Sequence, residues 1–111
     1  MNNSIMLAMN HFMEELDRGT NEYWKRARFT IGKPVFSLST RGSKYFKITS
    51  DNSVYCFIDK ETGDIYKPAS WRGPAKGVRA NLNNYDSWMN KTDPYGSWLY
   101  KIFGNNYNTI G

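Results

Sequence analysis

Five apolar positions near the N-terminus, Ile5, Met9, Phe12, Met13 and Leu16, fall at i, i+4, i+7, i+8 and i+11. That spacing puts their side chains on one face of an α-helix. Ser4 is suited to cap its start and Gly19 to the C′ stop, so the first element is predicted as a helix ending at Gly19. The methionine-rich stripe is expected to cover one face of a sheet; a seam between two copies of the chain is its other use. From Tyr23 the apolar period changes to two. A first strand is read over 23–31, broken by Gly32-Lys33-Pro34, and further strands over 35–40 and 44–50, separated by the turn Arg41-Gly42-Ser43. In the 44–50 strand Tyr45, Lys47 and Thr49 alternate with Phe46 and Ile48.

Asp51-Asn52 makes the next turn, and the nearly continuous apolar run 54–59 reads as a central strand. Residues 59–64 form a hairpin loop with Gly63 in a left-handed conformation, and a short strand follows over 65–67. Pro74 suits a first helical position, which predicts a short helix over 75–82, weakened by Gly77. Trp88, Trp98, Leu99, Ile102 and Phe103 are the anchors of an Asn-, Tyr-, Trp- and Gly-rich tail. The fold class is therefore α+β. An N-terminal helix packs on an antiparallel β-meander of four to five strands, followed by a short second helix and an aromatic-rich C-terminal tail. A single domain over 1–111 is expected, since 111 residues suffice for one core.

Composition changes the picture in three respects. Phe, Tyr and Trp make up 16% of the chain, too many for a disordered segment. The one cysteine, Cys56, excludes an internal disulfide and fits a reducing compartment. Set between Tyr55 and Phe57, it reads as a buried small hydrophobe rather than a reactive thiol. The first sixteen residues lack a cationic leader and carry Glu14 and Glu15, and no apolar run approaches the roughly 18 residues of a membrane span. A soluble, cytoplasmic protein without membrane attachment is expected.

The net charge of +5 is unevenly placed. Lys25, Arg26, Arg28, Lys33, Arg41, Lys44 and Lys47 follow one another between Tyr23 and Ser50 with no acid among them. Lys67, Arg72, Lys76 and Arg79 do the same between Ile65 and Tyr85. Segregation of this kind suits a partner bearing phosphates. It also suits a solvated sheet face whose lysines deter edge pairing.

Residues for ordinary catalysis are scarce. His11 is the only histidine, and with one cysteine the chain cannot build a Cys/His zinc site. A Cys56–His11 nucleophile and base is allowed by composition, yet nothing in the spacing supports it. No glycine-rich phosphate loop is present. Asp59, Glu61 and Asp64 could hold a metal or act as an acid/base pair, but turn chemistry accounts for all three. A binder without metal or cofactor is expected rather than an enzyme.

The sharpest feature is the run 67–81. Lys67 is delivered by a strand to a loop holding Ser70, Trp71 and Arg72, which feeds the helix expected from Pro74. Free N–H groups and the helix dipole favour an anion there, with Lys76 and Arg79 on one helix face and Asn81 close by. Trp71 beside Arg72 offers a stacking surface for a base and a cation for a phosphate; the other reading makes Trp71 a plug in the core. A second basic surface is read on the strand 23–31, where Trp24, Arg26 and Arg28 share one face.

The hairpin Asp59-Lys60-Glu61-Thr62-Gly63-Asp64, followed by Lys67-Pro68-Ala69-Ser70-Trp71, Pro74-Ala75-Lys76 and Arg79-Ala80-Asn81, resembles a family of small uncharacterised tailed-phage proteins. The resemblance covers about a quarter of the chain; Ala80 stands where glycine is expected. It implies a viral accessory protein acting in the host cytoplasm. The first expectation is a ligand carrying phosphate, nucleic acid or a nucleotide, including a nucleotide-type host defence signal. The alternatives are an inhibitor of a host protein, anchored by Trp88, Tyr95, Trp98 and Tyr100, and a minor virion or assembly protein. A homo-oligomer is compatible with each.

Overall fold

The computed structural model describes residues 3–89 and 92–100. Ile102 and Phe103 of the expected tail lie outside the described residues. Helix α1 runs over Asn3–Ala27, 25 residues or about 37 Å at 1.5 Å each. It begins before Ser4, which stands inside its first turn instead of capping it. It also passes through Gly19, so the stop predicted there is absent. The buried stripe Ile5, Met9, Phe12 and Leu16 continues through Thr20 to Trp24 on the same face.

Arg28, not a glycine, ends α1, in the left-handed region at φ 63°. Its N–H donates to Lys25 O (3.1 Å) and that of Phe29 to Trp24 O (2.9 Å), the paired bonds of a Schellman cap. The hydrophobic contact that accompanies such a cap is present, with the Trp24 and Phe29 rings 5.2 Å apart. Lys25 and Arg26 in the last turn complement the helix dipole. The strand expected over 23–31 is thus a helix end and a connector. Trp24 is buried, its indole N–H donating to Ile31 O at 3.0 Å, so it shares no exposed strand face with Arg26 and Arg28.

Five strands follow as an antiparallel meander in chain order: β1 (Phe36–Ser39), β2 (Tyr45–Ser50), β3 (Ser53–Asp59), β4 (Asp64–Tyr66) and β5 (Ala80–Asn81). Phe46 pairs with Ile58, Ile48 with Cys56 and Ile58 with Ile65, and these residues face α1. Ser39, Tyr45, Lys47, Phe57 and Tyr66 alternate with them and so lie on the opposite, outer face. A bulge between Ile48 and Thr49 leaves Tyr55 without a ladder partner and buries both Tyr55 and Cys56.

Gly63 adopts the expected left-handed φ of 79°. The Asp59 carboxylate accepts the N–H groups of Glu61 (2.8 Å) and Thr62 (2.9 Å) and meets Lys44 at 3.4 Å. Partial burial opposes its ionisation, but these partners hold its pKa below the ordinary aspartate value.

After β5 the chain makes a 3-10 turn (Leu82–Asn84) and a one-turn helix α2 (Tyr85–Trp88), and returns through 92–100, ending in a 3-10 turn at Ser97–Tyr100. The Trp88 and Trp98 rings stack at 5.3 Å with a 2° interplanar angle, and Phe12 meets Trp88 edge-on at 5.2 Å. Tyr55 donates its hydroxyl proton to Asp93 O (2.6 Å) and accepts the Trp98 indole N–H (2.7 Å). Trp88 and Trp98 therefore belong to the core and cannot anchor a partner. Among the described residues no helix is long and apolar enough to cross a membrane.

Candidate functional site

The segment after β4 is not a strand feeding a helix. Pro68 and Pro74 pair across a miniature hairpin, and the N–H groups of Ala69 (3.0 Å) and Ser70 (3.2 Å) converge on Gly73 O. The Ala75 N–H closes the base on Lys67 O at 2.9 Å. Ser70 Oγ accepts the Arg72 N–H at 3.1 Å and fixes the tip. The helix expected over 75–82 is missing. Gly77 takes a left-handed φ of 100°, and pairing of Ala80 and Asn81 with β4 outweighs the helix signal from Pro74. No helix N-terminus or shared helix face of Lys76 and Arg79 exists there.

The hairpin carries Trp71 and Arg72 over the outer face of the sheet. Trp71 is 54% exposed and is no core plug. Its ring takes the Lys47 ammonium at 4.3 Å from the centroid, and the same ammonium lies 5.8 Å from the Phe57 ring. Around this contact runs a groove of about 630 Å³, lined by the β1–β2 turn (Arg41, Gly42, Ser43, Lys44), by Ser39, Tyr45, Lys47, Thr49 and Phe57 of the strands, and by Trp71 and Arg72. Lys60 fastens the turn, donating to Thr40 O at 2.7 Å and to Gly42 O. Four cations thus line one concave surface. Among the described residues only Lys44 of the four is in an ion pair, with Asp59, whose hydrogen bond raises the lysine pKa and keeps it charged.

The other residues expected at the site are dispersed. The Lys67 ammonium sits over the Tyr100 ring at 4.5 Å, outside the groove lining. Lys76 is exposed on the connector to β5. Arg79 is half-buried, its N–H donating to Ile65 O at 2.7 Å and its Nε enclosed without a hydrogen-bond partner. Asn81 serves the fold, donating to Asp64 Oδ1 (2.7 Å) and Thr62 O (3.0 Å). Arg26 and Arg28 are exposed at the end of α1. Cys56 is fully buried, with its thiol pKa pushed up by burial, whereas His11 lies exposed on α1. Sequence reasoning missed Arg41, Lys44, Tyr45, Lys47 and Phe57. Their signal was the alternation that sends Tyr45, Lys47 and Thr49 to one face within an acid-free stretch.

Helix, sheet and groove together define a small α+β protein with a cationic, aromatic groove on the open face of its sheet. Residues 2–101 match a family of unknown function, DUF7717, and the chain belongs to that family. No curated protein and no solved structure matches it.

Proposed function

We propose that the protein is a non-enzymatic binder of a phosphate-bearing ligand with a flat ring, a nucleic acid or a nucleotide, held in the outer-face groove. The observation that carries this reading is the exposed Trp71 ring with a lysine ammonium on its face, set on a rigid hairpin beside Arg41 and Arg72. A nucleobase replacing Lys47 on that ring keeps the stacking surface occupied and frees the ammonium for the phosphate it brings. Base–aromatic stacking is worth about 1–3 kcal/mol per base. Arg41, Arg72 and the released Lys47 supply the salt-sensitive remainder. In the phage setting that the resemblance implies, such a binder would sequester a nucleotide-type host signal.

The test is a fluorescence titration with oligothymidylate, mononucleotides and cyclic dinucleotides at several salt concentrations. Trp71→Ala should weaken binding by roughly 5- to 150-fold, the equivalent of one stacked base. Arg72→Ala should weaken it and flatten the salt dependence, and both variants should melt like the wild type. If both bind as the wild type does, or binding ignores salt, the reading fails.

A further inference from the structure

A second surface lies away from the groove, at the C-terminal end of α1. Trp24 packs against Tyr23 (5.7 Å), Phe29 (5.2 Å) and Tyr95 (6.2 Å), which joins the helix end, the connector to β1 and the 92–100 segment into one aromatic cluster. The outer side of this cluster is bare: Phe29 is 47% exposed and Tyr95 62%. The connector adds two aliphatic side chains, Ile31 at 84% and Val35 at 64% exposure. Trp24, Pro34 and Tyr95 also line a cleft of about 520 Å³. Single exposed apolar residues are ordinary, but several gathered beside a cleft mark an interaction surface.

Charge identifies the occupant. Lys25, Arg26, Arg28 and Lys33 are all exposed on the same helix end and connector. Among the described residues none of the four is in an ion pair; Glu22, the nearest acid in sequence, is engaged by Arg18 at 3.5 Å. The one carboxylate that lines the cleft, Asp51, is held by the Val35 N–H at 3.0 Å. Four cations without an ion pair, on the helix end and connector that carry the apolar patch, call for negative charge in the partner and an apolar anchor beside it. Phe29 and Tyr95 carry rings, but the two most exposed side chains of the patch, Ile31 and Val35, are aliphatic and stack no base, so the complement is a polypeptide rather than a nucleic acid.

We infer that this face docks an acidic segment of a partner protein that carries an aliphatic or aromatic anchor. The inference is independent of the groove. It is tested by selecting a random dodecapeptide library on the immobilised full chain. Enriched sequences should be rich in Asp and Glu around a large apolar residue. Their binding should fall about tenfold or more in Arg28→Glu and in Ile31→Asp, and be unchanged in Trp71→Ala. Both altered side chains are exposed, and melting curves confirm that the variants fold. The inference is overturned if nothing is enriched, if the selected peptides are not acidic, or if they bind both variants undiminished. It is also overturned if the patch serves a different occupant. That would show as vesicles of phosphatidylserine and phosphatidylcholine, or a single-stranded oligonucleotide, lost in Ile31→Asp, or as a wild-type dimer in sedimentation that Ile31→Asp dissolves.

Discussion

Replacing Gly19 by alanine separates two ways of building the N-terminal third of the chain. In the structure Gly19 is an interior residue of α1 without a left-handed φ, and a Cβ built on it meets nothing within 4 Å. The substitution therefore removes backbone entropy from the unfolded chain and adds a helix-favouring residue with no clash. Glycine in a helix interior costs about 0.5–1 kcal/mol relative to alanine. With an unfolding entropy of about 2.1 cal/mol/K per residue over 111 residues, Gly19→Ala should raise Tm by roughly 2–4 °C. Scanning calorimetry of both proteins at neutral pH measures this directly. Were Gly19 instead the left-handed stop of a shorter helix, alanine there would cost about 1–2 kcal/mol and lower Tm by roughly 4–9 °C. A decrease would refute the continuous helix and, with it, the placement of Trp24, Arg26 and Arg28 at the helix end.

Further predictions concern the core and the hairpin. Tyr55→Phe removes the acceptor of the Trp98 indole N–H and the donor to the Asp93 carbonyl, and should lower stability by about 1–3 kcal/mol in urea unfolding. Cys56 should resist a thiol reagent in the native protein and react at the rate of global opening, so destabilising variants should label faster. The folded-state pKa of Asp59 is depressed, so its contribution to stability is full above the ordinary aspartate range and lost as pH falls through the folded value. The stability gap between wild type and Asp59→Asn should therefore be widest near pH 6 and shrink as the pH is lowered through the acid range.

The meander was legible because its strands follow a period of two and are punctuated by turn residues: Gly42, Asp51-Asn52 and Gly63 fall where the chain reverses. The end of α1 was not. Gly19 and Thr20 interrupt the apolar stripe, and the sequence Tyr23–Phe29 alternates rings and cations as an edge strand does. Cooperative continuation of the helix to a cap formed by Arg28 and Phe29 outweighs both signals. In the same way, pairing with β4 and the left-handed Gly77 overrode the helix pattern after Pro74. For the candidate site, Trp71 and Arg72 were readable as an aromatic–cation pair at a loop tip. Lys47 and Arg41, which complete the groove, lie more than twenty positions earlier. Only the folding of the miniature hairpin over the sheet brings them together.

The distribution of the four tryptophans has an optical consequence. Trp24, Trp88 and Trp98 are buried and Trp71 alone is largely exposed, so an aqueous collisional quencher such as iodide reaches one indole of the four. The face-to-face stacked Trp88–Trp98 pair should couple its electronic transitions into a near-ultraviolet dichroic doublet that disappears when the core opens. One unlabelled chain thus carries two separate readouts. The doublet reports folding, and the quenchable emission reports whether Trp71 is covered.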